Sequence, residues 1–373
     1  MKILVLCYEY PPVGGGGGRV AASVAAGLAE RGHEVKVVSA GLRHLPRRAE
    51  INGVEVLRPE SFRKREDTCS VPEMALFLLT AFFPALRLCR QWRPDVIHAH
   101  FVVPTGALAL ALHWLTGIPY MLTAHLGDVP GGVPEQTDKL FRWLGPFIQP
   151  IWKNAAAVTA VSGFVADLAR KNCGVSAEVI LNGVSMLAPP ERLEIQNPPR
   201  LVMVGRLSIQ KNPLLAIRAL ALIKDLPWQL EVIGEGPLGD SMRECVEQSG
   251  LTDRVKFSGW LAAAEVSSRL AASDILLMTS TSEGLPMAGI EALRHGLAIV
   301  GSRIGGLMDV VADGRNGVLC DLVPEDFAKG LREVLEKPDQ FLAMRSASLV
   351  KARDFNLPER LDDYERVLKS VAR

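Results

Sequence analysis

The sequence predicts an α/β protein made of two doubly wound parallel sheets, and two observations carry that prediction. Short apolar runs rich in β-branched residues alternate with amphipathic, helix-like stretches through most of the chain, the pattern of strands joined by crossover helices. The series then starts afresh after a proline-rich break near the middle of 373 residues, a length beyond which one hydrophobic core stops growing.

In the first half the expected strands are KILVLCY, HEVKVVS, VEVLRP, DVIHAH, PYMLTAH, AAVTAVS and EVILNG. The second half gives RLVMVGRL, QLEVIGEG, VKFSGW, DILLMTS, LAIVGS and GVLC, with amphipathic helices between them. The intervening MLAPPERLEIQNPP, Met186 to Pro199, holds four prolines and no periodicity and reads as a linker. The expected organisation is a first domain over 1–187, a linker over 188–199 and a second domain over 200–355. The tail 356–373 has helical periodicity and is expected to pack back on the first domain.

Charge and composition narrow the function. A net charge of +1, from 42 basic and 41 acidic side chains, supplies no field for nucleic acid. The six cysteines form no CxxC pair, against a zinc site or a disulfide framework, so a reduced cytosol is expected. Glu9 and a Pro/Gly segment interrupt the first apolar run, which therefore does not read as a secretory signal. MALFLLTAFFPAL is short for a membrane span and FVVPTGALALALHWLTGI is broken by Pro104, so burial in the core is the simplest expectation for both. For the first, contact with a membrane surface competes, because the preceding segment from Arg43 to Glu66 carries seven Lys or Arg.

The run Gly14–Gly18 lies between a strand and a helix, where a dinucleotide-binding turn is the first possibility to test. It fails: Arg19 stands where the third glycine of GxGxxG belongs, and the second strand ends at Ser39 with no carboxylate for a ribose. What survives is a helix start whose N–H groups attract an anion. A sharper constellation is EGLPMAGIEAL, with Glu283 just past a strand and Pro286 placed at the first helical turn. Proline lacks an N–H where the helix leaves one unpaired, so the N–H groups of Met287 and Ala288 form an anion cradle. Glu283 and Glu291 flank it and suit hydroxyls better than phosphate, so the simplest ligand is a phosphorylated sugar. Arg206 and Lys211 in VGRLSIQKN follow another strand and could neutralise a diphosphate.

Taken in order, the glycine loop, TAHLGD, VSGF, LNGV, VGRLSIQKN, GEGP and EGLPMAGIEAL resemble the retaining glycosyltransferases of the GT-B fold, in particular glycosyltransferase family 4. The resemblance implies two Rossmann-like domains facing an interdomain cleft and a nucleotide-diphosphate sugar as donor. It implies that Arg206, Lys211 and the amides of Met287 and Ala288 hold the diphosphate, with Glu283, Gly284 and Leu285 at the donor sugar and Glu291 at the ribose. Gly15, Gly16 and Gly17 would lie beside the diphosphate, and Gly234 and Leu261 near the base. His125 would stand next to the transferring sugar, with Asp128 on the acceptor side; for His100, which ends the strand DVIHAH together with His98, acceptor contact and core packing are equally open. One departure is Met308-Asp309 where the family usually has Pro-Glu.

No DxD-like acidic pair ends a strand, so no metal and no other cofactor are expected. A front-face transfer with retention is the expected mechanism, UDP is preferred to GDP, and a glycan or lipid-linked acceptor follows from the basic, apolar segment from Arg43 to Trp92. The alternatives are a sugar-nucleotide epimerase or hydrolase on the same scaffold and a non-catalytic binding module.

Overall fold

The computed structural model describes residues 1–66, 69–133, 145, 147–188 and 193–373. It divides the chain into one unit of Met1–Gly183 with Leu357–Arg373 and a second of Val184–Asn356. The chain therefore passes from the first unit to the second at Gly183, four residues before the position read from the sequence.

The first unit holds an eight-stranded sheet in the order β3-β4-β2-β1-β5-β6-β7-β8. Its strands are β1 (Lys2–Cys7), β2 (Glu34–Val38), β3 (Arg48–Ile51), β4 (Val54–Leu57), β5 (Val96–His100), β6 (Tyr120–Ala124), β7 (Ala157–Ala160) and β8 (Glu178–Val179). Central strands β1, β5 and β6 are buried almost throughout, which is why β1 reads as an apolar run rather than an alternating one and why His98, His100 and Thr123 of the other two lie in the interior. Strand β3 was not among the expected strands and is the only antiparallel member of this sheet among the described residues. Asn52 and Gly53, at φ 50° and 74°, turn the chain from β3 into β4, the geometry that a two-residue Asn-Gly hairpin favours.

Two expectations about the apolar stretches separate here. FVVPTGALALALHWLTGI becomes an irregular turn and the helix Ala107–Thr116, with Leu108, Leu110 and Leu112 in the core. MALFLLTAFFPAL belongs to the 21-residue helix Val71–Gln91, long and apolar enough by length and composition to cross a membrane, and only 17% of its most apolar window is buried. The expectation of burial is corrected for this helix: Phe77, Ala81, Ala85 and Cys89 form its inward stripe, while Leu79 and Phe83 are 68% and 73% exposed.

The tail helix Leu357–Val371 belongs to the first unit. Its Leu361 sits where Gly27 of the helix Gly16–Glu30 has no side chain, and Arg31 pairs with Asp362 at 2.7 Å and Glu365 at 3.1 Å.

The second unit is a six-stranded, all-parallel sheet in the order β11-β10-β9-β12-β13-β14. Its strands are β9 (Arg200–Val204), β10 (Gln229–Ile233), β11 (Val255–Gly259), β12 (Ile275–Met278), β13 (Ala298–Ser302) and β14 (Gly317–Cys320), the six expected from the sequence. Leu201, Leu230, Ile275, Trp228, Phe327 and Phe341 are among the residues of its core. Part of the expected linker, 189–192, lies outside the described residues, but 193–199 is not a free tether. Asp274 accepts hydrogen bonds from the backbone N–H groups of Gln196 and Arg200, and Arg345 donates to the carbonyl of Glu194 and pairs with Asp274 at 2.5 Å.

Candidate functional site

The candidate residues of the second unit stand beyond the carboxyl ends of its strands, the usual ligand position of an open parallel sheet. After β9, Arg206 is exposed and Lys211 closes a short 3-10 turn, Ile209–Lys211. After β12 comes the segment 279–286. Side chains and backbone stitch these two loops together: Thr279 Oγ1 donates to the carbonyls of Lys211 and Asn212, Thr281 N–H to Gln210 O at 2.7 Å, and Gln210 Nε2 to Ser282 O. The result brings Lys211 and Glu283, 72 residues apart in sequence, to 2.5 Å between Nζ and Oε1.

Glu283 is 6% exposed, a position where an unpaired carboxylate is costly. Lys211 and the Ser280 hydroxyl, at 2.6 Å, both donate to Oε1. Among the described residues both side-chain donors to this carboxylate end on Oε1, so that oxygen is anchored from two sides. The Glu283 carbonyl accepts from Gly306 N–H at 3.0 Å, and a Cβ on Gly306 would collide with the carbonyl of Gly284. Gly306, the second glycine of GSRIGG, is thus a packing requirement of the Glu283 loop. The GRNG turn is structural in the same way: buried Asn316 accepts from Ala312 N–H and donates to Val310 O.

Helix Met287–Arg294 follows, with Pro286 as its N-cap residue at φ −73° and ψ 114°. That corrects the sequence reading, which put Pro286 inside the first turn. The consequence for chemistry is small, since Met287 and Ala288 still carry first-turn N–H groups without an intrahelical acceptor. Glu291 is half-buried further along, 3.8 Å from Arg294. Asp309 lies in the short helix Leu307–Val310. Gly234 and Leu261 follow β10 and β11, with Trp260 beside Leu261 69% exposed.

In the first unit the five glycines do less as a loop than the sequence suggests. Gly16, Gly17 and Gly18 are the first residues of the helix Gly16–Glu30, and Gly15 is its N-cap. The N–H of Gly15 donates to Glu9 Oε2 at 3.1 Å, so a carboxylate of this chain occupies part of the predicted anion position. A Cβ at Gly17 would lie 2.5 Å from Phe101 Cζ and 3.4 Å from His125 Nδ1, which explains why the chain needs glycine there.

His125 stacks on Phe101 at 4.3 Å between centroids, and its Nε2 is 3.3 Å from His100 Nδ1. His100 in turn packs on His98 at 4.1 Å. His100 is fully buried, so it lies behind His125 and is not open to an acceptor. Asp128 is buried as well, and its two oxygens accept the backbone N–H groups of His125 and Val102, each at 2.9 Å. It holds the TAHLGD turn against the end of β5. Among the described residues no three of His, Cys, Asp or Glu converge as a metal site.

Burial lowers the pKa of His98 to about 3 and of His125 to about 4, and lowers that of His100 well below its ordinary value. These rings stay neutral in the fold while the unfolded chain takes up protons below about pH 6.5. Stability is therefore expected to fall as pH drops from 7 to 5, by about 2 kcal/mol at pH 5 for each histidine kept neutral. Burial raises Asp128 to about 6, which works in the opposite direction over that window and offsets part of the loss. Urea titrations at pH 7 and pH 5 check this, and an equal or higher midpoint at pH 5 would contradict it.

Two family descriptions match the chain: glycosyltransferase family 4 over residues 14–186 and glycosyl transferases group 1 over residues 188–349. A 2-deoxystreptamine N-acetyl-D-glucosaminyltransferase of Streptomyces fradiae is 30% identical over 309 residues, spanning 76% of this chain and 73% of that protein. The chain belongs to the family 4 glycosyltransferases. A 2-deoxystreptamine glucosyltransferase of Streptomyces kanamyceticus is 27% identical over 380 residues, covering 91% and 96% of the two chains. In fold, sucrose-phosphate synthase from Thermosynechococcus elongatus is similar at a TM-score of 0.85, with 19% identity and 99% and 98% coverage. Anabaena HepE in complex with UDP and glucose is similar at 0.78, with 21% identity and 99% and 100% coverage. The fold is GT-B.

This glycosyltransferase is thus an enzyme that uses a nucleotide-sugar donor. Sequence reading found Arg206, Lys211, Glu283, Met287, Ala288 and Glu291 in one unit but missed the partners that hold them, Thr279, Ser280 and Gly306. In the first unit it missed Glu9 and Phe101. Only the polar cluster TSTSEG after a buried strand signalled any of these, because each partnership spans a loop or a fold rather than a motif.

Proposed function

We propose that this glycosyltransferase transfers a hexose from a UDP-sugar, with retention at the anomeric carbon and without a metal ion. The observation that carries the reading is the Glu283 carboxylate, anchored through Oε1 by Lys211 and Ser280, a few residues before the first-turn N–H groups of Met287 and Ala288. In this reading Arg206, Lys211 and those amides take the diphosphate and supply the charge that a metal would otherwise bring. Glu283 Oε2 accepts a hydroxyl of the sugar and Glu291 a ribose hydroxyl, and His125 is the first unit's candidate residue for the transfer.

The bond between the anomeric carbon and the diphosphate oxygen breaks, the acceptor oxygen bonds to the same face, and the acceptor proton passes to a diphosphate oxygen. Asp128 supports this front-face course, because both of its oxygens are committed to backbone N–H groups and it is not placed as a free nucleophile. Incubation with UDP-, GDP- and ADP-sugars is expected to raise the melting temperature most with a UDP-sugar. Turnover should survive a chelator. Conversion of donor alone to an epimer, or loss of turnover with chelator, would overturn the reading.

For the acceptor, the exposed Leu79 and Phe83 on the helix Val71–Gln91, with Arg87, Arg90 and Arg93 at its end, favour a lipid-linked glycan met at the cytoplasmic face of a membrane. Arg63 is not part of that basic surface: its guanidinium is buried over the Tyr8 ring and donates to the carbonyls of Arg65 and Glu66. Sedimentation with anionic vesicles, lost in a Leu79→Glu, Phe83→Glu double variant, tests this. A second reading, a small cyclitol acceptor, is favoured by the relatives that are 2-deoxystreptamine and D-inositol 3-phosphate glycosyltransferases, and a protein that ignores vesicles would favour it.

A further inference from the structure

The three histidines of β5 and the following strand end form a continuous buried stack whose protons are not independent. His98 Nε2 lies 2.8 Å from Thr123 Oγ1, which lies 2.8 Å from Thr159 Oγ1. His100 Nδ1 lies 3.3 Å from His125 Nε2, and His100 Nε2 is buried with no hydrogen-bond partner. The rings are neutral, so the contact between His100 and His125 holds a single proton and two arrangements are available.

If His125 Nε2 carries that proton, His100 must carry its own on Nε2, leaving a buried N–H with nothing to accept it. If His100 Nδ1 carries it, His100 Nε2 is a bare lone pair and His125 is protonated on Nδ1. An orphaned buried donor is the rarer outcome in folded proteins. The second arrangement also gives His125 an N–H on Nδ1, the ring atom 3.4 Å from where a side chain on Gly17 would begin.

We infer that His100 is a positioning residue that donates from Nδ1 to His125 Nε2 and so holds His125 as the Nδ1–H tautomer, presenting a hydrogen-bond donor rather than a base at the glycine-rich helix start. Phe101, stacked on the His125 ring at 4.3 Å between centroids, holds the ring plane in which this donor points. The inference rests on the proposed sugar transfer only for its kinetic consequence. The tautomer itself is a property of the protein without substrate.

The test combines both. In protein labelled with 15N-histidine, the His125 ring is expected to give the shifts of a protonated Nδ1 and a bare Nε2. His100→Phe keeps an aromatic ring in the stack but removes the donor. It is expected to lose that signature and to lower kcat about tenfold, the size of one hydrogen bond, with donor KM changed less than about threefold. His100→Asn, whose amide can donate from nearly the same place, is expected to recover both. A wild-type His125 protonated on Nε2 overturns the inference, and so does a His100→Phe variant with unchanged His125 shifts and kcat. If no nucleotide sugar is turned over, the functional reading falls while the nitrogen shifts still decide the tautomer.

Discussion

Lys211→Ala is expected to lower kcat about 10²- to 10³-fold, the usual effect of removing one group that meets developing charge in a transition state. Two losses coincide in this variant. The positive charge proposed for the departing diphosphate disappears, and the Glu283 carboxylate loses its nearest cation while remaining buried. Lysine works here as a point charge, and Thr279 holds the backbone carbonyl of the same residue, so the loop itself should keep its place in the variant. Steady-state kinetics with the preferred UDP-sugar, together with a melting curve that shows the fold intact, check the expectation. A folded variant with kcat within about threefold of the wild type would remove Lys211 from the chemistry.

Arg345→Ala is expected to cost about 3–5 kcal/mol of stability, because it strands the Asp274 carboxylate in the core of the second unit. Arg345 is 4% exposed and Asp274 is 1% exposed. Burial alone pushes the Asp274 carboxyl up and the Arg345 guanidinium down, so each charge depends on the other and on its hydrogen bonds. Arg345 also donates to the carbonyls of Glu194 and Gly296, tying the entry segment of the unit to the start of β13. For a unit of this size the loss corresponds to a fall of roughly 10 °C in melting temperature. Replacing both partners, as Arg345→Met with Asp274→Leu, is expected to restore much of it, since no unpaired charge then remains. A single variant within about 1 kcal/mol of the wild type would contradict the assignment.

Most of the architecture was legible from local pattern. Buried parallel strands leave apolar runs because both faces are covered, as in β12 and β13, whereas β10 and the edge strand β11 are only partly buried and carry mixed residues. β3 escaped because its exposed, mixed residues, Arg48–Ile51, carry no such run; the Asn52-Gly53 turn was its one clear mark. Helix Val71–Gln91 escaped in a different sense. Apolar composition reports what a segment tolerates, whereas its exposure depends on which neighbours happen to cover it.

The site divides along the same line. The sequence by itself determined the chemistry on offer: cations after β9, a carboxylate and a helix start after β12, and a histidine at the end of β6. Those features are local, set by residue type and by where a strand gives way to a helix. Only the tertiary structure decided that Lys211 and Ser280 share one oxygen of Glu283, that Glu9 accepts the Gly15 N–H at the glycine-rich helix start, and that His100 stands behind His125. Hydrogen bonds and ion pairs reach about 3 Å, and the partners that satisfy them are brought within that distance by packing, whatever their separation along the chain.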